Sequence, residues 1–440
     1  MSTNQYLRPI TTNINENGHL SIGGCDSIDL AERYGTPLYV VDESTIRAVC
    51  NDYKQAFKSY PNIKMMYASK ALSTMAIVKI IHSEVFGFDA VSEGEFYTAY
   101  KAGVDMGSVL FNGNNKSPEE LDLAIKLGVG RFSVDNFLEL SLLNEIAKSY
   151  DKRVNVLLRI TPGIECHTHE YIQTGHLDSK FGFDLTQIDT AVESVMEEYK
   201  YLNIKGLHAH IGSQIFETKV YNDEVEILVN EMVRINEKYA LALNEINLGG
   251  GLGVKYTESD IPPSTQEIAD VIINAINKSI EKHKIEPPTI YIEPGRSIIS
   301  TSGVTLYTVG SSKQVPGGKK YVAIDGGISD NPRPSMYQAV YSAQIANKPD
   351  SEPVQTVTIA GRFCESGDIL IKDVTLPLLE AGDILCVFNT GAYNYSMSSN
   401  YNRVQKPAMV LVNNSQSDMI IYRETLDDLI SHDCIPDRLV

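Results

Sequence analysis

The sequence predicts an α/β protein in which a (β/α)₈ barrel is joined to a second, all-β domain. Three observations support this prediction. Between residues 64 and 293, eight short apolar runs of β-type composition alternate with stretches of helical periodicity. Nearly every run ends in a polar residue or in glycine. After about residue 300 the helical stretches give way to short β-type runs broken by glycine, proline and asparagine.

The eight runs correspond to the strands of a parallel sheet with crossover helices. An open, doubly wound sheet would show the same alternation. The runs are Lys64–Ser69, Val85–Val91, Val109–Asn112, Arg131–Val134, Val154–Thr161, Ile204–Ile211, Glu245–Leu248 and Thr289–Glu293.

The polar ends of the runs favour the barrel over the open sheet. In a barrel the carboxyl ends of all eight strands meet on one face, so distant residues would form one site there. The residues at these ends are Lys70, Asp89, Asn112, Asp135, Arg159, His210, Gly249–Gly251 and Glu293.

The second domain is predicted from stretches such as KKYVAIDGG and DILCVFNTGAY. The stretches HLSIGG and GTPLYVVDE, near the N-terminus, are also short β-type runs next to glycine or proline. They are expected to contribute strands to this domain. We therefore expect an N-terminal segment over 1–40, the barrel over 41–300 and the C-terminal β domain over 301–440.

Composition narrows the class of protein. A chain of 440 residues that is 43% hydrophobic can form two domains with cores of their own. Its formal net charge of -18 argues against nucleic acid or an anionic membrane as a partner. The six cysteines form no CxxC motif, and the sequence has neither a signal-like N-terminus nor a run of membrane-spanning length. We expect free thiols and a cytoplasmic location.

Three consecutive glycines, Gly249–Gly251, follow the seventh run. Glycine lets backbone N–H groups approach an anion closely, and barrels usually hold phosphate on the loops after strands seven and eight. For an isolated triplet of glycines, a tight turn that needs positive φ is the commoner explanation. The position after the seventh run favours a phosphate site.

Lys70, at the end of the first run, is either a salt-bridged structural cation or an amine that forms a Schiff base. Taken alone, it favours the structural role. Together with a phosphate loop it indicates pyridoxal phosphate (PLP), with the aldehyde on Lys70 and the phosphate on the glycines. That cofactor needs a carboxylate near its pyridine nitrogen, for which Glu293 is the candidate. His210 is placed to lie flat against the ring, and Ser213 to donate to the phosphate.

The motifs YASKA, GFDAVSEGE, HAHIGSQI, LGGGLG, EPGRS, DGGISDNPRP, CESGD and GAYNYSMSSNYN occur in this order. Together they resemble the PLP-dependent decarboxylases of the alanine-racemase-like barrel fold, and most closely the branch that decarboxylates diaminopimelate. The resemblance runs from about residue 30 to 410. It implies decarboxylation of meso-2,6-diaminopimelate to L-lysine, the last step of lysine biosynthesis.

The resemblance also implies roles for single residues. Lys70 would carry the cofactor, His210 would stack on its ring and Glu293 would pair with its pyridine nitrogen. Cys364 would protonate the carbon that CO₂ leaves, in the active site of a partner subunit, so that a homodimer shares its sites. Further cofactor-binding residues would be Asp89, Arg159, Ser213, Gly250, Gly251, Gly295, Arg296 and Tyr393. The substrate would be bound by Arg296, Arg333, Tyr337, Glu365 and Tyr393.

The chemistry of diaminopimelate suits these substrate residues. Its far end carries a carboxylate and an amine, which an arginine and Glu365 respectively can bind. Decarboxylases of ornithine, arginine or carboxynorspermidine remain alternatives, and Arg333 in NPRPSMY argues against a substrate whose far end is only cationic. A racemase of the same fold would place an arginine at the pyridine nitrogen. A catalytically inactive regulatory homologue usually loses the lysine or the proton donor, whereas Lys70 and Cys364 are present.

The segment Cys166-His167-Thr168-His169 could suggest a zinc site. Adjacent ligands on so short a segment, with no second ligand group at a useful spacing, argue against it, and we expect no metal. The resemblance makes HTHEYIQTG a mobile loop that closes over the substrate.

Overall fold

The computed structural model describes residues 2–164 and 179–440. The chain divides into two compact units and passes between them more than once. The first unit comprises Met1–Gln5, Arg47–Lys255 and Ile261–Ile298. The second unit comprises Tyr6–Ile46, Tyr256–Asp260 and Ile299–Val440.

The first unit contains a closed barrel of eight parallel strands, which confirms the predicted fold. The eighth strand closes the barrel by pairing with the first, with Ile290 opposite Ile63. A short strand, Phe183–Asp184, adds to the end of the fifth. The eight strands are Ile63–Ala68, Gly87–Ala90, Val109–Phe111, Arg131–Val134, Val154–Thr161, Leu202–His208, Glu245–Asn247 and Thr289–Ile292.

A helix follows every barrel strand, and another, Glu43–Ala56, precedes the first. Local sequence sets several helix starts: Ser117 and Ser264, for example, form capping boxes with the glutamates three residues later. In chain order the helices after the strands are Met75–Ser83, Glu93–Lys101, Pro118–Leu127, Phe137–Ser149, Ile188–Glu197, Lys219–Tyr239, Thr265–His283 and Arg296–Ile299. Short 3₁₀ turns lie at Thr3–Gln5, Ser69–Ala71, Met106–Ser108 and Leu185–Gln187.

Apolar and polar residues occupy different levels of the barrel interior. Met66, Leu110, Leu157 and Tyr291 form a buried cluster contributed by four strands. The polar residues lie further along the strands, at their carboxyl ends. Because the strands are parallel, these ends meet on one face, which is where a site can form.

The second unit is built on a largely antiparallel sheet. Its N-terminal strand, Leu38–Asp42, lies between Gly303–Gln314 and Ala408–Asn413, which confirms that the N-terminal segment contributes to the β domain. The main path of the sheet runs in the order Ile369–Leu376, Gln355–Ala360, Lys320–Ile324, Gly303–Gln314, Leu38–Asp42, Ala408–Asn413 and Gln416–Ile421. Off this path, Ile384–Phe388 pairs with both Gly303–Gln314 and Ala343–Ile345.

Smaller elements complete the second unit. A three-stranded sheet is formed by Asn13–Ile14, Leu20–Ile22 and Cys25–Asp26. The helices are Ser27–Tyr34, Arg333–Tyr337 and Leu426–Ile430. Single 3₁₀ turns lie at Tyr395–Met397, Tyr401–Arg403 and Asp437–Leu439.

Residues 2–164 and 179–440 contain no helix that is long and apolar enough to cross a membrane. Within the same ranges, no group of three His, Cys, Asp or Glu side chains is arranged to hold a metal ion. The segment Cys166-His167-Thr168-His169 and the HTHEYIQTG loop lie outside the described residues. The cysteines among the described residues are free thiols.

Candidate active site

The carboxyl ends of the barrel strands bring the residues predicted for the first unit together. Lys70 lies in the 3₁₀ turn directly after the first strand. Its positive charge acts on Asp89, where it opposes the larger effects of burial and Glu293 that raise the pKa, and on His210, where it adds to burial in lowering the pKa. The predicted anchor for a cofactor aldehyde therefore lies near the ends of the second and sixth strands.

Two buried carboxyl groups, Asp89 and Glu293, lie at this end of the barrel. Burial, together with the negative charge of Glu293, raises the pKa of Asp89, and Lys70 opposes this only in part. Burial also disfavours the charged form of Glu293, but His208, His210 and Asn247 outweigh it and lower its pKa. Of the two groups, Glu293 therefore carries the negative charge at neutral pH.

The contacts of Glu293 explain why it stays ionised. The side-chain amide of Asn247 donates a 2.6 Å hydrogen bond to Glu293 Oε1. The ring atom Nε2 of His208 lies 3.5 Å from Glu293 Oε2. Hydrogen bonding to the charged form of a buried carboxylate favours that form. A fixed, buried anion of this kind suits a protonated pyridine nitrogen.

His210 is a neutral ring held in one orientation. The backbone N–H of Gly250 donates a 3.2 Å hydrogen bond to His210 Nδ1, so that nitrogen is an acceptor. Burial, followed by the cations Lys70 and Arg159, lowers the pKa of His210 well below its usual range. The ring therefore remains uncharged and can present a flat face to a planar group.

The backbone of the glycine loop adopts conformations and close contacts that only glycine tolerates. Gly249 and Gly251 have positive φ angles, +60° and +115°. A Cβ atom on Gly250 would lie 2.2 Å from the carbonyl oxygen of Glu293, so no larger residue fits there. The N–H of Gly249 donates to Asn247 Oδ1 over 2.9 Å, which ties the loop to the seventh strand.

Ser213, Arg296 and Gly295 complete this part of the site. Arg296 Nη2 donates a 2.9 Å hydrogen bond to Ser213 Oγ, which joins the loop after the sixth strand to the helix after the eighth. A Cβ atom on Gly295 would lie 2.9 Å from the side chain of Ala68, so glycine lets this turn pass beside the end of the first strand, next to Lys70. The grouping of a guanidinium and a hydroxyl is suited to a phosphate.

Arg159 is buried on the fifth strand and is held by several contacts. Its Nη1 donates a 3.2 Å hydrogen bond to Asn112 Oδ1 and lies 3.9 Å from Asp135 Oδ1. Its guanidinium lies over the ring of Phe181, 4.2 Å from the centroid. Arg159 thus brings the ends of the third, fourth and fifth strands together, as the convergence of the polar ends predicts.

These residues fit PLP on structural grounds. The cradle at Gly250 excludes a Cβ atom, an amine follows the first strand, and an ionised carboxylate and a neutral imidazole lie at the same end of the barrel. Each feature matches one part of the cofactor: phosphate, aldehyde, ring nitrogen and ring face.

Sequence reasoning missed two residues that act on Glu293, namely His208 and Asn247, and Ser133, which contacts His208. His208 Nδ1 lies 2.6 Å from Ser133 Oγ. One signal was available, because His208 and His210 are two residues apart and alternate residues of a strand point to the same face. Their meeting with Glu293 could not be predicted in this way, because Ser133, His208 and Asn247 lie on three different strands.

The second unit holds the other predicted residues. Arg333 is 7% exposed and donates hydrogen bonds to the hydroxyl groups of Tyr256, over 3.1 Å, and Tyr341, over 2.7 Å. Its guanidinium lies 6.0 Å from the ring centroid of Tyr393. Arg333 and Tyr393 are thus neighbours, while Tyr256 and Tyr341 were not predicted. Tyr337 ends the short helix that Arg333 begins.

Cys364 and Glu365 lie in an exposed turn of the second unit. The N–H of Cys364 donates a 3.0 Å hydrogen bond to Asn402 Oδ1, and the Tyr401 hydroxyl donates to its carbonyl over 3.5 Å. The thiol is free and exposed, so Cys364 is not a small buried apolar residue, the commoner role of an unpaired cysteine. It is available to another molecule.

Comparison with known proteins gives consistent matches. A family model described as the pyridoxal-binding domain of pyridoxal-dependent decarboxylases matches residues 43–300. A diaminopimelate decarboxylase of Synechocystis is 49% identical, covering 100% of this chain and 95% of the relative. The one from Bacillus subtilis is 46% identical, covering 96% and 97%. The crystal structure of diaminopimelate decarboxylase from M. jannaschii in complex with L-lysine has a TM-score of 0.93 at 37% identity, covering 99% of this chain and 100% of that one.

Proposed function

This chain belongs to the diaminopimelate decarboxylase family of pyridoxal-dependent decarboxylases, and from that membership we propose that it converts meso-2,6-diaminopimelate into L-lysine and CO₂. It is a carboxy-lyase whose cofactor is PLP, and its reaction is the last step of lysine biosynthesis. The single structural observation that carries the choice of reaction is the ionised Glu293, which accepts a hydrogen bond from Asn247 and lies 3.5 Å from His208 Nε2. A carboxylate at the pyridine nitrogen favours decarboxylation, because it keeps that nitrogen protonated and the ring a strong acceptor of electrons.

In this proposal the barrel residues hold the cofactor. Lys70 would bind its aldehyde carbon, and Glu293 would keep a proton on its ring nitrogen. The neutral imidazole of His210 would pack against one face of the ring. When bound, PLP accepts the electron pair that remains after CO₂ leaves. Ser213, Gly250, Gly251, Arg296 and Tyr393 would hold the phosphate, and Asp89 and Arg159 would support the ring and the region of Lys70. Gly295 is a further cofactor-binding residue of this proposal.

The second unit supplies the residues for the substrate. Arg333 is a buried cation whose guanidinium is oriented by two tyrosine hydroxyl groups, which suits a carboxylate at the far end of the substrate. Glu365 is an exposed carboxylate that can accept an ammonium group. Tyr337 and Tyr393 are the other substrate residues of this unit, and Arg296, in the first unit, is also assigned to the substrate.

We include in the proposal a cytoplasmic homodimer with shared active sites. Cys364 of one copy would donate a proton, in the site of the other copy, to the carbon that CO₂ leaves. The exposed, free thiol supports this, because it is accessible to a second molecule.

A decarboxylase of ornithine, arginine or another basic amino acid is the second candidate. These substrates end in a cation without a carboxylate, and a buried arginine near such a group would repel it. The measurement that separates the two is CO₂ release by the PLP-loaded protein from meso-diaminopimelate, ornithine, arginine and lysine in parallel. Release from diaminopimelate alone is expected. Release from a different substrate would show that Arg333 and Glu365 have been misassigned.

A further inference from the structure

We propose that His208 is a positioning residue that donates its Nε2–H toward Glu293 and thereby keeps this carboxylate ionised and correctly oriented. The proposal rests on the proposed function, because it assigns a partner to the carboxylate that faces the cofactor ring nitrogen. Its evidence is the placement of His208 between Ser133 and Glu293.

The imidazole of His208 lies inside the barrel. His208 is the last residue of the sixth strand and is 0% exposed. In the sheet it pairs with Arg159 on the fifth strand and Asn247 on the seventh. Its ring atoms, however, lie near Ser133 on the fourth strand and Glu293 just after the eighth. The side chain therefore reaches across the interior to strands that are not its neighbours.

The hydrogen bond with Ser133 decides which nitrogen of His208 carries the proton. Burial lowers the pKa of His208, and the cations Arg159 and Lys70 act in the same direction, so the ring is neutral although Glu293 opposes this. A neutral ring has one N–H. If that N–H were at Nδ1, the lone pair of Nε2 would face the Glu293 carboxylate. We therefore assign the Ser133 hydroxyl as the donor to Nδ1, 2.6 Å away, and place the N–H of the ring at Nε2, 3.5 Å from Glu293 Oε2.

Each oxygen of Glu293 has a polar side chain beside it. The amide of Asn247 donates to Oε1, whereas the buried Nε2 of His208 has no hydrogen-bond partner among the described residues and lies 3.5 Å from Oε2. An N–H directed at Oε2 would stabilise the buried anion. The charge of Glu293 is thus left to pair with the protonated ring nitrogen. Without His208, Glu293 Oε2 would lose the N–H nearest to it, and a protonated ring nitrogen would be less strongly favoured.

The test compares His208→Leu, which removes the donor, with His208→Gln, whose side-chain amide places an N–H close to the position of Nε2. Each variant is loaded with PLP labelled with ¹⁵N at the pyridine nitrogen. We measure the ¹⁵N chemical shift, the PLP dissociation constant and kcat. In H208L the ring nitrogen should shift toward its unprotonated value and kcat should fall about ten- to a hundredfold. In H208Q the ¹⁵N chemical shift and kcat should both be close to the wild-type values.

A purely structural role would give a different pattern. An unchanged ¹⁵N shift in H208L, or equal impairment of H208L and H208Q, overturns the proposal. If H208L does not fold, Ser133→Ala replaces it, because losing the hydroxyl releases Nδ1 and lets the ring adopt either tautomer. S133A should then show an intermediate ¹⁵N shift, and a wild-type shift in S133A would overturn the proposal.

The wild-type protein separates failure of this proposal from failure of the proposed function. If wild type releases CO₂ from none of the four amino acids, the proposed function fails. The ¹⁵N shift of the PLP-loaded wild type and variants still reports whether His208 controls the protonation of the ring nitrogen.

Discussion

Gly250 lies so close to Glu293 that a Cβ atom on Gly250 would come within 2.2 Å of the carbonyl oxygen of Glu293. The glycine loop and the turn after the eighth strand therefore fit together only without a side chain at this position. Gly250→Ala should displace the loop and weaken PLP binding by about tenfold or more, because overpacking costs about 1–3 kcal/mol. The measurement is a fluorescence titration of the apoprotein with PLP.

Gly94→Ala is the matched control for Gly250→Ala. Gly94 lies within the helix Glu93–Lys101, and the nearest atom to an added Cβ would be 3.8 Å away. Alanine is favoured over glycine in a helix. G94A should therefore bind PLP as wild type does. Equal PLP affinity in G250A and wild type would show that the loop does not hold the cofactor.

Replacing Lys70 tests the attachment of the cofactor. Lys70→Ala removes the amine at the end of the first strand, so decarboxylation should be abolished. Borohydride reduction of wild type should add the mass of reduced PLP to the peptide that contains Lys70, and K70A should gain none. Mass spectrometry of the reduced, digested proteins checks both. Retained turnover in K70A would contradict the assignment, as would label on another lysine.

The shared site can be tested by mixing two inactive variants. Lys70→Ala and Cys364→Ala should each lose activity alone. After mixing in equal amounts and allowing subunits to exchange, half of the dimers combine the two variants, and one of their two sites has neither substitution. About a quarter of wild-type activity should return if each site uses Cys364 of the partner copy. Activity that stays at the level of the separate variants, with exchange verified by native mass spectrometry, would argue for sites within one chain.

Asp330 should make the stability of the protein depend on pH. It is 2% exposed and accepts hydrogen bonds from the N–H of Gly327, over 2.8 Å, and from the hydroxyl of Tyr307. Burial raises the pKa of Asp330 from 3.8 to about 7. The folded state thus holds this proton more tightly than the unfolded state does. The resulting stability is fully present below pH 3.8 and is lost as the pH rises toward 7.

Asp330→Asn tests this pH dependence, because the amide resembles the protonated acid and does not titrate. Between pH 4 and 7 the free energy of unfolding of wild type should fall relative to that of D330N by about 4 kcal/mol at most. Urea unfolding of both proteins at several pH values gives the difference. A difference that is constant across this range would show that Asp330 has an ordinary pKa in the folded protein.

Much of the barrel could be predicted because its signals are local. The eight runs, the helical stretches between them and the glycines after the seventh run are all encoded by periodicity and composition over a few residues. The first strand was predicted at Lys64–Ser69 and is observed at Ile63–Ala68. A difference of one residue does not change the face on which Lys70 emerges, because Lys70 follows the strand in either case.

The surroundings of Glu293, including Ser133 behind His208, depend on the tertiary structure. Ser133, His208 and Asn247 lie far apart in the sequence and meet because the fourth, sixth, seventh and eighth strands close around one interior. The same holds for Arg333, whose tyrosine partners are Tyr256 and Tyr341. A sequence pattern specifies the face of an element, but not which distant side chain lies opposite.

The sequence by itself thus determined the order of the strands, the residues at their ends and, through its motifs, the family to which the chain is similar. Only the tertiary structure decided which of the buried acids keeps its charge. Glu293 is ionised and Asp89 has a raised pKa, although both are carboxyl groups at strand ends. The physical reason is that the ionisation of a buried group depends on its burial and on the donors and charges around it, and these come from distant parts of the chain.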